Sequence, residues 1–135
     1  MVRIDIKYTG DLHCRLTHGP SGSKIETDAP TDHEGKGEAF SPSDMVAGAL
    51  GACMLTVMGV VAKRHGINIT GARATVVKEM IQEPVRRIGK LPIVITLPAA
   101  LTSKERLMLE TTAKTCPVHK SLHPDIVSPV EFIYA

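Results

Sequence analysis

Residues 41–66, SPSDMVAGALGACMLTVMGVVAKRHG, are the stretch from which the fold is read. Ser41 sets a capping hydroxyl ahead of Pro42 at the first helical position, with Asp44 at the third, a combination that starts a helix. At the other end Lys63, Arg64 and His65 complement the carbonyl dipole, and Gly66 can take the left-handed cap. Met45 to Ala62 is a run of 18 residues without a charge, which reaches the lower length limit of a membrane span. Gly48, Gly51 and Gly59, with Ala47, Ala49, Ala52 and Ala62, leave it short of the Leu, Ile and Phe bulk that insertion favours. A buried helix is therefore expected, and no membrane association. Being apolar on every face, the helix must be surrounded. A sheet can cover one side and a second copy of the chain the rest, with Gly48, Ala52 and Gly59 letting backbones approach; a homodimer is expected.

Upstream, Val2, Ile4, Ile6 and Tyr8 alternate with charged residues, and Leu12, Cys14 and Leu16 repeat the period of a half-buried strand. His18-Gly19-Pro20-Ser21-Gly22 supplies turn chemistry for a first hairpin, returned by Ser23 to Asp28. Ala29 to Ala39 is a polar, glycine-containing loop of a length more often functional than decorative. Downstream, Ala72–Glu83 and Arg87–Leu97 are Val- and Ile-rich strands of a second hairpin turning at Glu83–Arg86. Thr102 and Glu105 form a capping box that opens a helix to about Thr115, with Leu109, Ala113 and Cys116 on one face. Pro117 begins a short helix capped by Cys116, and Ile126–Tyr134 forms a last strand. This order predicts a single α+β domain over residues 1–135, an antiparallel sheet packed on a long central helix.

Sixteen Lys and Arg against fourteen Asp and Glu give a net charge of +2, too small for a nucleic-acid footprint. With two Tyr, two Phe and no Trp, base stacking is disfavoured as well. The three cysteines, Cys14, Cys53 and Cys116, form an odd set without CxxC spacing, which points to a reducing compartment rather than a secreted disulfide framework. The N-terminus has no apolar signal core, so a cytoplasmic location is expected.

Cys53, among Ala52, Met54 and Leu55, reads either as a small buried hydrophobe or as a nucleophile, which requires a thiolate. It lies too deep in its helix for the dipole to activate it. Cys116, at a helix N-terminus, is where a thiolate is favoured directly. Cys116, His119 and His123 also have the spacing of a partial metal site, but no second motif completes a four-ligand set, so no metal is expected. Gly19 to Lys24 lacks the spacing of a phosphate loop and reads as a hairpin tip.

Thr27-Asp28-Ala29-Pro30, Phe40-Ser41-Pro42-Ser43-Asp44, Ala49-Leu50-Gly51-Ala52-Cys53 and Cys116-Pro117-Val118 with Ser121-Leu122 together resemble the osmotically inducible protein C / organic hydroperoxide resistance (OsmC-like) family. The resemblance implies an intertwined α+β homodimer with active sites at the subunit interface. It also implies a thiol peroxidase active on organic hydroperoxides, with Cys53 as the peroxidatic and Cys116 as the resolving cysteine. The same resemblance implies a dithiol reductant of dihydrolipoyl type as co-substrate and no bound cofactor, and Cys14, which matches no family position, is expected to be structural. The well-studied members pair the reactive cysteine with an Arg from the first hairpin turn and a Glu ten residues before it. Here Ser43 stands at the latter position with Asp44 next to it, and the turn at 18–22 holds no Arg. Asp44 and Arg15 are thus the candidates for activating the thiolate or orienting the substrate. The alternative implied by these departures is a relative that binds a small apolar or electrophilic ligand in the same pocket.

Overall fold

In the computed structural model, which describes residues 1–135, strands β1 (Ile4–Gly10), β2 (His13–His18) and β3 (Lys24–Asp28) precede a 3-10 turn at Thr31–His33 and helix α1 (Pro42–Arg64). Then follow β4 (Arg73–Val76), β5 (Glu79–Ile81), β6 (Arg87–Lys90), β7 (Ile93–Leu97), α2 (Ser103–Ala113), α3 (Pro117–Ser121) and β8 (Val130–Tyr134). The chain divides into two compact units, Met1–Val46 and Ala47–Ala135. The architecture is α+β, with helices and sheets whose strand pairs are antiparallel except for β7 and β8.

In the first unit β1, β2 and β3 form an antiparallel meander with Ile6 opposite Leu16 and Leu16 opposite Ile25. The alternation read from the sequence sorts the side chains: Ile4, Ile6, Tyr8, Leu16 and Ile25 share one face, and Lys7, His13, Arg15, Glu26 and Asp28 the other. The apolar face is left open in the single chain, with Ile4, Ile6, Tyr8 and Ile25 between 50% and 62% exposed. The first hairpin turn is not His18–Gly22, which joins β2 to β3, but Gly10–Leu12. Asp11 and Leu12 there adopt left-handed φ angles of 52° and 61°. The Leu12 N–H donates to the Tyr8 hydroxyl at 3.2 Å and its carbonyl accepts from Ala29 N at 3.0 Å, bonds that hold a residue with no intrinsic preference for this conformation. At the start of α1 the capping box is complete: Asp44 N–H donates to Ser41 Oγ at 3.1 Å, and Ser41 N–H donates to Asp44 Oδ2 at 2.9 Å.

The second unit holds the hydrophobic core. Ala47, Leu50, Met54, Met58 and Ala62 form a buried stripe of α1 at helical spacing, and they cluster with Leu91, Ile93, Ile95, Leu97, Leu109 and Ala113. The helix is long and apolar enough to cross a membrane, but this stripe is spent on the core. Gly51 lies close under β4: a Cβ there would crowd Val76 Cγ2 at 3.0 Å and touch Ala74 Cβ at 3.6 Å. Gly66 takes the left-handed cap with φ 66°.

The second hairpin differs from the two continuous strands expected. Each arm breaks once, so that β4 pairs with β7 and β5 with β6. Pro92, at the break, has no N–H to give the ladder; its carbonyl accepts from Val77 at 3.1 Å instead. Nor is the sheet wholly antiparallel. β8 runs parallel to β7, with Ile93 opposite Val130 and Leu97 opposite Tyr134, because α2 and α3 supply the long crossover that a parallel pair needs. The last strand accordingly starts at Val130 rather than Ile126. The Thr102–Glu105 capping box forms as expected, but α2 ends at Ala113. Arg106 of α2 lies 4.0 Å above the Tyr134 ring, and its guanidinium donates to the carbonyls of Leu101 and Ala99, tying α2 to the end of β8.

Replacing Leu50, which is 0% exposed, by Ala should lower stability by about 2–5 kcal/mol, read from the midpoint of urea unfolding. Ser41→Ala should remove about 1 kcal/mol through the lost cap.

Candidate functional site

Cys53 and Cys116 arrive from distant parts of the sequence within the second unit. Cys53 stands one position before Met54 at the margin of the buried stripe of α1, so it is half-buried while Met54 packs in the core and Ala52 on its other side is exposed. Cys116 follows α2, where Leu109 and Ala113 point into the same core, and it is 0% exposed. α2 has ended at Ala113, and Pro117 starts a new helix immediately after Cys116. Cys116 becomes the N-cap of α3, its Sγ accepting the His119 N–H at 3.4 Å.

These placements bring the two side chains within interaction range, and both are free thiols. Burial, and then the side-chain interaction with Cys53, push the Cys116 thiol above its ordinary range. The backbone N–H groups of His119 and Val118 pull it down, but less strongly. This corrects the expectation that a helix N-terminus makes Cys116 a ready thiolate: a site with no solvent exposure penalises the charged form more than one turn of helix favours it.

Of the other residues singled out from the sequence, Arg15, Asp44 and Cys14 lie in the first unit and His123 in the second. Arg15, in β2, donates through Nε and Nη2 to Glu26 Oε1, each at 3.2 Å. Asp44 closes the α1 capping box. Cys14 sits on the apolar face of the β1–β2–β3 sheet opposite Tyr8 and Thr27. His123 lies near its neighbour Asp125, both exposed, and no three His, Cys, Asp or Glu side chains converge on a point that could hold a metal. Sequence reasoning missed the pair His13 and Asp28, 2.6 Å apart. The signal was present in the strand alternation, but it needed the register of β2 against β3 to become visible.

The comparisons with known proteins agree with this fold. A Psychrobacter arcticus protein described as an osmotic stress induced and detoxification response protein is 44% identical, with 98% of this chain and 96% of that one covered at a TM-score of 0.92. An organic hydroperoxide resistance protein from Legionella pneumophila shares the fold at 15% identity and a TM-score of 0.76, over 98% of this chain and 96% of that one. One from Elizabethkingia anophelis does so at 16% and 0.78, over 100% and 96%. No protein with a curated functional description matches. The sequence profile of the family described as OsmC-like protein matches residues 35–131, and on that match, together with the 44% identical structure, the chain belongs to the OsmC-like family.

Proposed function

We propose that this OsmC-like protein is a thiol-dependent peroxidase that reduces organic hydroperoxides, with Cys53 as the peroxidatic and Cys116 as the resolving cysteine. Family membership supports a redox and detoxification role in general terms; the observation that carries the finer reading is the pairing of a half-buried thiol with a fully buried one. The Cys53 thiolate attacks the distal peroxide oxygen, the O–O bond breaks, and the alkoxide leaves as the alcohol after taking a proton. Cys53 is then a sulfenic acid. Cys116 displaces its hydroxyl, forming the disulfide and releasing water. A dithiol such as a dihydrolipoyl group returns both thiols by exchange and leaves as its own disulfide. The apolar setting of Cys53 favours an alkyl or fatty-acyl hydroperoxide over hydrogen peroxide. Free thiols with this role suit a reducing compartment such as the cytoplasm.

The working form in this reading is an intertwined homodimer with its sites at the subunit interface. The open apolar face of the first unit supports it, including a hollow of about 450 Å³ lined by Ile4, Leu16, Ile25 and Met45, since patches of this kind mark association surfaces. Gly48, Ala49, Ala52 and Val60 of α1 are exposed as well. A second reading, a relative that binds a small apolar or electrophilic ligand in the same pocket, draws on one observation: Arg15 is engaged by Glu26 and Asp44 by the helix cap.

Consumption of cumene hydroperoxide with dihydrolipoamide should run far faster than with free cysteine and vanish in Cys53→Ser. Cys116→Ser should consume one equivalent, accumulate the sulfenic acid and form no intramolecular disulfide. Because the Cys116 thiol is held above its ordinary range, condensation should accelerate as pH rises across neutrality, read by stopped-flow. A wild-type rate no better than free cysteine would transfer support to the ligand-binding reading. By sedimentation equilibrium the wild type should have twice the chain mass, and Ile6→Glu, which places a charge on the open sheet face, should be monomeric.

A further inference from the structure

On the polar face of the β1–β2–β3 sheet, His13 stands opposite Asp28 and Arg15 opposite Glu26. His13 Nδ1 lies 2.6 Å from Asp28 Oδ1, and its Nε2 lies 3.5 Å from Glu26 Oε1. The same Glu26 oxygen accepts from Arg15. Both ring nitrogens thus face carboxylates, an arrangement that the imidazolium satisfies and the neutral ring, with a single N–H, does not.

Asp28 is buried, 6% exposed, and its second oxygen is also committed. Oδ2 accepts the Glu38 N–H at 3.0 Å, while the Asp28 N–H donates to the Phe40 carbonyl at 3.1 Å. One carboxylate therefore grips a strand histidine with one oxygen and the far end of the 29–40 segment with the other, immediately ahead of the Ser41 cap.

We propose that His13, Asp28 and Glu26 form a proton-controlled clasp on the 29–40 segment, closed while His13 is charged and loosened when the ring becomes neutral. This rests on the geometry of the first unit and is independent of the peroxidase reading. A neutral His13 can still donate to Asp28 from Nδ1. However, the charge offsetting a buried carboxylate is gone, and the Nε2 lone pair is turned toward Glu26. The charged groups around the ring are Asp28 and Glu26 on β3, Arg15 on β2, and Lys36 in the segment itself, whose charge acts on Asp28.

The hydrogen bond to Asp28, reinforced by Glu26, raises the His13 pKa against partial desolvation. Asp28 is lowered chiefly by His13, and Glu26 chiefly by Arg15 and then His13. A raised histidine contributes fully below its unfolded value and is lost as pH climbs through the folded one; the depressed carboxylates let go only as pH falls through theirs. The clasp therefore holds between those limits and opens on the alkaline side through His13.

The test follows amide exchange at Glu38 in the whole protein, with the His13 ring titrated by NMR, from about pH 6 to about pH 9, a range bracketing a raised histidine. Glu38 protection, relative to the unstructured chain, should fall as His13 deprotonates, about tenfold for each pKa unit separating the closed from the open form. His13→Gln should flatten this profile, and Glu26→Gln should lower the His13 midpoint while keeping the pH dependence. Protection that stays level through the His13 titration, a profile in His13→Gln like that of the wild type, or an unmoved midpoint in Glu26→Gln would each overturn the clasp as drawn.

Discussion

Burial of one stripe of α1, from Ala47 through Leu50, Met54 and Met58 to Ala62, is the constraint on which the other features of the second unit depend. Leu50, Met54 and Met58 are at most 1% exposed, and each such side chain contributes about 1.5–3 kcal/mol by leaving water. β7 supplies Ile93, Ile95 and Leu97 to the same cluster, and α2 supplies Leu109 and Ala113. The rotational setting of α1 is therefore decided by hydrophobic packing. Once it is decided, Cys53 has no freedom: next to Met54, it falls at the margin of the stripe, where a thiol is partly reachable and partly in the core.

Cys116 is placed by a different rule. Its position depends on α2 ending where Leu109 and Ala113 are already committed to the core, and on Pro117 turning the chain into a new helix. The result is a cysteine with a donor at its sulfur and no access to water. Charge is unfavourable there, so its thiol is raised even at a helix N-terminus. Local dipole effects and burial compete at this sulfur, and burial prevails because desolvation acts on the whole charge while the short α3 offers only fractional charge from its first N–H groups.

The first unit follows another logic. Its sheet has a charged face clasped by His13, Asp28, Arg15 and Glu26, and an apolar face that the single chain leaves uncovered. The charged face organises the segment that leads to the α1 cap. The apolar face is the surface for which the proposed dimer supplies a cover. The exposure of Ile6 and Tyr8 on that face is the observation from which the dimer is proposed.

What could be read from residues alone was whatever depends on short-range chemistry. The Ser41–Asp44 box, the Thr102–Glu105 box, the Pro117 restart and the Gly66 cap are each contained within a few residues, and all appear where the sequence put them. Strand alternation likewise identified both faces of the first sheet. The family resemblance, carried by motifs spread along the chain, added the two cysteines as a pair. The sequence did not show that the second hairpin breaks at Val77 and Pro92, that the first turn lies at Gly10–Leu12, that β8 runs parallel to β7, or that His13 meets Asp28. Those outcomes are settled by register and by which strands become neighbours, and such choices are made by summed burial over the whole core rather than by the preferences of any few residues. The ionisation of Cys116 belongs with them, since only tertiary structure determines how much water reaches a sulfur.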